Sequence, residues 1–396
     1  MQCVGGCPVQ QLDTLVSKIL DPNTVVVVST APAPRVALGE VFGESGNAQG
    51  KIVGFLKSIG VDYVFDTTFG ADLTTICEAR ELLYRLDKDD HLPLLNSCCP
   101  AFVKFIQNFY PSLKNNISMT FTPIANMGTY IKAIFSKELK VSPRQIFHIA
   151  LTPCVAKKIE IKDTKFVLKN YDTKTEYTTF SKKISSNAVK LLQKIKENHV
   201  CDSKCTPCKP VLQNINAPIY LTDMVITTNE LANLIKMSGL PYNEIQPLDC
   251  DKINGNAIQF GHSGGVVKSV CECAYYLTHG ECPPKNFFEL KQLNDYAFVA
   301  NLKIGNHKIK VAKIDGLKNM EDFIKHNDVK EYAFIEVMTC AGGCLGGTGQ
   351  PKPADLTARK KILLQTECHN SAENSLAMSI INKQSNLFLN ENDKNI

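Results

Sequence analysis

Tryptophan is missing from the 396 residues, while lysine and asparagine are abundant. That combination follows the base composition of a genome and excludes no function. Long apolar runs are missing too. No stretch approaches the ~20 consecutive apolar residues needed to cross a bilayer, and Met1 is not followed by the pattern of a secretory signal. A cytoplasmic protein without a membrane partner is therefore expected. A strong charge of one sign is also lacking. The net charge of +5 is spread over many lysines, which leaves nucleic-acid binding without a basic patch to rest on but suits docking of an acidic electron carrier. With 44% hydrophobic and 21% charged residues, the chain can bury one large core or two lobes. It contains no internal repeat.

Cysteine, by contrast, is plentiful. Sixteen of them exceed what a cytosolic chain collects by chance, and their spacing is too irregular for a small disulfide scaffold. Metal–sulfur ligation in a reducing compartment explains them better. In the stretch Glu336-Val337-Met338-Thr339-Cys340-Ala341-Gly342-Gly343-Cys344, the β-branched and aromatic residues 332–337 predict a buried strand. The strand delivers two thiols to a loop where Gly342, Gly343, Gly346, Gly347 and Gly349 let the backbone approach a bulky, anionic group. Taken alone, this stretch fits a thiol pair in an ordinary strand-to-helix turn equally well. Two more cysteine stretches accompany it, Asn96-Ser97-Cys98-Cys99-Pro100-Ala101-Phe102 and Leu151-Thr152-Pro153-Cys154-Val155-Ala156-Lys157-Lys158-Ile159-Glu160. Residues 101–110 have helical apolar spacing, so Cys99 falls near a helix N-terminus, where backbone amides favour an anion and lower a thiol pKa.

Together the three stretches resemble the H-cluster signatures of the [FeFe] (iron-only) hydrogenases, whose pattern runs roughly T-S-C-C-P-x-W, M-P-C-x-x-K-x-x-E and E-x-M-x-C-x-x-x-C-x-x-G-G-G-Q-P. Residues 64–74 and 260–266 also look like family segments in the expected order. The resemblance implies an α/β, two-lobed iron-only hydrogenase fold, with twisted mixed sheets flanked by helices and the active cluster between the lobes. It further implies reversible reduction of protons to H₂ with electrons from reduced ferredoxin or a similar acidic carrier, after maturation enzymes have built the centre. Carried over by position, Cys99, Cys154, Cys340 and Cys344 are the four thiolates of a [4Fe-4S] cluster. Cys344 also bridges to a binuclear [2Fe] subcluster with CO, CN and dithiolate ligands, completing the H-cluster. An ammonium from Lys157 suits a cyanide buried in a dry pocket. Met338 and Phe260 shield the cluster, and the Ala31-Pro32 turn lies against the binuclear iron. Cys98 is a non-ligating thiol that exchanges protons with Glu78, Ser118, Glu81 and solvent, and Glu160 matches the last position of the second signature. As bare residues, Glu78 and Glu81 fit a solvated helix face, Lys157 a surface lysine, and Cys98, Met338 and Phe260 plain core. The rival family is the nuclear prelamin A recognition factor-like proteins of cytosolic iron–sulfur assembly, expected to lack the second thiol at Cys98. A hydrogen sensor is the other alternative.

The remainder of the chain adds detail. Residues 1–23 carry Cys3 and Cys7 in the C-x3-C-P spacing that closes a ferredoxin motif. They are a remnant of an accessory module or the inside of a longer protein, in which case a hydrogen-producing organelle replaces the cytoplasm. Residues 24–150 form one lobe, 151–330 a second lobe, and 331–396 the third signature with a terminal helix over 354–384. The Lys-, Asn- and Thr-rich interval 163–218 is an insertion. Within it Cys201, Cys205 and Cys208, with Cys250, fit either a local metal site or structural thiols. Cys271 and Cys273 stand two apart on a helix and are separate thiols. Against the family pattern, Thr152, Phe102 and Thr348 replace a methionine, a tryptophan and a glycine. Phe121-Thr122-Pro123-Ile124 stands where many members have Lys-Ser-Pro-Gln, losing a glutamine that contacts the binuclear site.

Overall fold

A computed structural model of the chain describes residues 8–168, 177–198, 217–251, 253–366 and 369–389. Its strands are β1 (Val25–Thr30), β2 (Tyr63–Asp66), β3 (Leu94–Leu95), β4 (Ile146–Thr152), β5 (Met224–Thr227), β6 (Lys291–Gln292), β7 (Ala297–Ile304), β8 (His307–Asp315) and β9 (Phe334–Met338). The fold is α/β, as the alternation of strand and helix patterns predicts. The chain forms two compact units, residues 1–66, 127–253 and 349–353 in the first and 67–126, 254–348 and 354–396 in the second. The units interleave along the sequence. Hydrogen-bonded strand partners, which sequence order does not reveal, decide membership.

The first unit holds an all-parallel sheet in the order β2-β1-β4-β5. Parallel strands covered on both faces read as continuous apolar runs, and every residue of β1 is buried. Helices Gln49–Ser58 and Thr228–Ser238 add Phe55, Leu56, Leu231 and Ile235 to its core. The second helix begins with a capping box, Thr227 and Glu230. Part of the interval 163–218 joins the core of this unit. Its helix Ser186–Glu197 buries Ala188, Leu191, Leu192 and Ile195, and the last three belong to the same core as Val26 and Ile149. Phe166 is also buried. The lysine-rich composition hid an amphipathic helix.

The second unit holds a mixed sheet in the order β3-β9-β8-β7-β6. The hairpin of β7 and β8 is antiparallel, while β9 runs parallel to both β8 and β3. Helices Thr68–Lys88 and Gly265–His279 pack on each other. The terminal helix expected over 354–384 is two helices, Leu356–Leu363 and Ser375–Gln384. Asn374 sets the start of the second. Its Oδ1 accepts from Ala377 N at 3.2 Å and its Nδ2 donates to Asp72 Oδ2 at 2.8 Å, so the side chain starts a new helix.

Candidate active site

Two neighbouring strands of the second unit deliver most of the cysteines. β3 and β9 are in parallel register, Leu94 opposite Phe334 and Leu95 opposite Ile335, and Cys98, Cys99 and Cys340 follow their C-terminal ends. Asn96 joins them beyond the strands. Its Oδ1 accepts from Val337 N at 2.8 Å, and its Nδ2 donates to Cys98 Sγ at 3.1 Å. Cys99 is the N-cap of helix Pro100–Phe109, as expected, and its Sγ lies 3.2 Å from Thr339 Oγ1. After Cys340 the loop turns through Gly342 and Gly343 at φ 70° and 74°, a region that favours glycine. A Cβ on Gly343 would lie 2.6 Å from Ser263 N, so no larger residue fits. Met338 and Phe260 are buried. Glu336 fixes the start of helix Gly265–His279 by accepting from Gly264 N at 2.7 Å and Val267 N at 2.8 Å. Burial nevertheless raises its carboxyl to about 7.

The residues assigned to proton transfer lie together in the same unit. Glu78 and Glu81 are both 0% exposed, so they are not a solvated helix face. Burial, then the charge of Glu81, pushes the Glu78 carboxyl up to about 8, against the opposing pull of Ser118 and the Ser97 backbone. Neither Glu78 oxygen has a hydrogen-bond partner among the described residues, because Ser118 Oγ donates to Glu81 Oε2 at 2.8 Å instead. Burial, then the Glu78 charge, holds the Cys98 thiol well above the usual cysteine range. Asn96 opposes the rise, and the nearby Cys99 and Cys344 add to it. Arg85 closes the series with Nη2 2.6 Å from Glu81 Oε1. Sequence reasoning missed Arg85, although its i+4 offset from Glu81 was a usable signal. Asn96 carried none.

Cys154 belongs to the first unit, just beyond β4, and its N–H donates to Thr152 Oγ1 at 3.2 Å. Lys157 and Glu160 are buried and joined at 2.6 Å, which excludes the surface-lysine reading. Ala31 N donates to Leu151 O at 2.9 Å, and Pro32 opens the helix Pro32–Arg35. Gln350 ties the end of the third signature to this unit. Its Nε2 donates to Ala33 O at 2.9 Å, its Oε1 accepts from Thr228, and Gly349 N donates to Pro153 O at 2.8 Å.

Of the accessory cysteines, the described Cys250, Cys271 and Cys273 take no part in these contacts. Cys3, Cys7, Cys201, Cys205 and Cys208 lie outside the described residues. Cys250 accepts from Gln49 Nε2 at 2.9 Å, and burial raises its thiol to about 11. Cys271 and Cys273 are each fully buried, and burial pushes both thiols up.

Residues 24–204 and 205–348 match the family model described as iron only hydrogenase large subunit, C-terminal domain. The chain belongs to this family. It is similar both to hydrogenases and to a cytosolic iron–sulfur assembly factor. It is 30% identical over 381 residues to iron hydrogenase 1 of Clostridium pasteurianum, covering 92% of this chain and 58% of that protein. It is 26% identical over 358 residues to the cytosolic Fe-S cluster assembly factor narfl of Danio rerio, covering 87% and 76%. A solved structure of the [FeFe]-hydrogenase HydA1 from Chlamydomonas reinhardtii shares the fold with a TM-score of 0.74 at 22% identity, covering 96% of this chain and 98% of that one. The chain thus spans little more than half the length of the clostridial hydrogenase. Among the described residues, no helix is long and apolar enough to cross a membrane.

No set of three or more His, Cys, Asp or Glu among the described residues could hold a single metal ion, and an iron–sulfur group takes its thiolates one at each iron corner. Glycines at the loop after Cys340 and a cysteine at a helix N-cap both fit a bulky anionic group.

Proposed function

We propose that the chain is an [FeFe] hydrogenase that reversibly reduces protons to H₂ with electrons from reduced ferredoxin or a similar acidic carrier. The observation that carries this reading is Glu78, a fully buried carboxyl with no hydrogen-bond partner among the described residues, whose charge acts on the Cys98 thiol. A carboxyl in that setting is costly to bury and has a use only where a proton must pass. Cys99, Cys154, Cys340 and Cys344 would hold the [4Fe-4S] cluster, with Cys344 also holding the [2Fe] unit that maturation enzymes supply. When bound, the H-cluster would provide the electron store and the binuclear iron at which protons and H₂ interconvert.

The chain's own residues handle the protons and the surroundings. Cys98 Sγ carries the proton nearest the centre, and the Asn96 amide bonded to that sulfur leaves its S–H to point elsewhere. With its carboxyl near 8, Glu78 is mainly protonated at neutral pH and can both give and take, as an intermediate carrier must. Ser118 Oγ passes the proton to Glu81 by rotating its hydroxyl. The Arg85 guanidinium keeps Glu81 oriented and marks the outer end of the series. Lys157, held at 2.6 Å by Glu160, offers a buried cation to a cyanide ligand. Met338 and Phe260 exclude water.

An assembly factor, the reading that the narfl likeness supports, has no need of a proton series ending in a buried thiol. A hydrogen sensor would share the centre but turn over slowly. Infrared spectroscopy of the protein matured with its iron centre tests the proposal. Iron carbonyl and cyanide bands together with methyl-viologen-driven H₂ evolution are expected. A protein that binds a cubane but shows neither would be an assembly factor.

A further inference from the structure

We infer that Arg359 is a positioning residue of the metal centre, a buried positive charge that fixes the Cys344 loop and raises the electron affinity of the cluster bound there. The inference rests on the assignment of Cys340 and Cys344 as cluster ligands. Arg359 is 0% exposed and among the largest fully buried side chains. Its neighbours on the helix Leu356–Leu363, Lys360 and Lys361, are exposed, so one cation of three turns inward. Arginine keeps its proton inside proteins, and the charge is therefore permanent.

Its placement is specific. Nη1 donates to Leu345 O at 2.7 Å, the carbonyl next to Cys344. The same helix presses on the loop through Leu356, which would lie 2.9 Å from a Cβ on Gly342 and 3.3 Å from one on Gly346. Asp355 fixes the start of the helix, its Oδ1 accepting from Ala358 N at 2.9 Å. Glutamine could make the same carbonyl hydrogen bond without a charge. What arginine adds is a field carried through a low-dielectric interior. A cluster on four thiolates becomes more negative when reduced, so a fixed cation nearby favours the reduced form, and cluster potentials follow local charge and hydrogen bonding. The sign follows: removing the charge lowers the reduction potential.

The test uses the full chain produced without maturation enzymes and reconstituted with iron and sulfide, so that no H₂ turnover is needed. Redox titration followed by electron paramagnetic resonance compares wild type, Arg359→Lys, Arg359→Gln and the exposed control Lys360→Gln. Arg359→Gln should keep its iron but titrate at a lower potential. Arg359→Lys and Lys360→Gln should stay near wild type. A wild-type potential in Arg359→Gln would overturn the inference, since a merely structural arginine leaves the potential alone. If Arg359→Gln takes up no cluster, Arg359→Met replaces it. Loss in both neutral variants with uptake in Arg359→Lys supports the charge, and loss in all three overturns it. Failure of the wild type itself to take up a [4Fe-4S] cluster would instead sink the ligand assignment.

Discussion

Replacing Glu78 by glutamine should stop turnover while making the protein more stable. The Glu78 carboxyl is 0% exposed with neither oxygen hydrogen-bonded, and its pKa rises from 4.5 to about 8 on folding. Below about pH 4.5 both folded and unfolded chains carry the proton, and the group costs nothing. Between 4.5 and 8 the unfolded chain loses the proton and the folded chain keeps it, so stability falls with rising pH. At ~1.4 kcal/mol per pKa unit, the loss is about 3 kcal/mol at pH 7 and about 5 kcal/mol above pH 8. Glutamine has nearly the same shape and no such dependence. Urea unfolding of the iron-free protein at several pH values should therefore show an advantage for Glu78→Gln that is near zero at pH 4.5, grows to pH 8 and then levels off. In the matured protein the same change should lower H₂ evolution by about 100-fold or more, the range of a lost proton-transfer group. A pH-independent offset, or a variant weaker than wild type at pH 8, would refute the burial argument. Unchanged turnover would refute the relay.

Cys98→Ser should keep both iron units by infrared spectroscopy yet nearly abolish methyl-viologen-driven H₂ evolution, because a hydroxyl gives up its proton far less readily than a thiol. Cys98→Asp should recover part of the rate. Changing Cys99, Cys154, Cys340 or Cys344 to alanine should lower iron bound after reconstitution, measured per protein, and full iron in a quadruple variant would disprove the ligand set. Leu192→Ala in the helix Ser186–Glu197 should cost about 2–5 kcal/mol in urea unfolding, and a linker in place of residues 163–218 should prevent folding of the first unit. A well-folded deletion variant would show that this helix is dispensable.

Much of this was legible because the chemistry demanded unusual residues. The four cysteines and the Glu78 and Glu81 pair stand in spacings that a motif exposes, and β-branched runs such as Val25 to Val28 announce buried strands. What stayed hidden depends on partners far along the chain. Asn374 starts the helix Ser375–Gln384 while bonding Asp72, and no local pattern tells that asparagine from a solvated one. Arg359 sits in a lysine-rich helix where an exposed side chain is the ordinary outcome, and the carbonyl it bonds, Leu345 O, belongs to a distant loop that no local pattern points to. The helix Ser186–Glu197 was hidden by a lysine-rich composition, although Leu191, Leu192 and Ile195 have helical spacing.

The pairing of β3 with β9 has a consequence for how such a chain can change over generations. Adjacent parallel strands are held ~4.8 Å apart by their hydrogen bonds, so the thiols that follow them keep their separation whatever the chain does elsewhere. The more than two hundred residues between Asn96 and Val337 are joined across one short seam, Leu95 beside Ile335, that does not register how long the detour is. Exposed loops within that detour can lengthen, shorten or diverge without moving Cys99 relative to Cys340, provided that the two ends return to the same seam and buried elements such as the helix Ser186–Glu197 are kept.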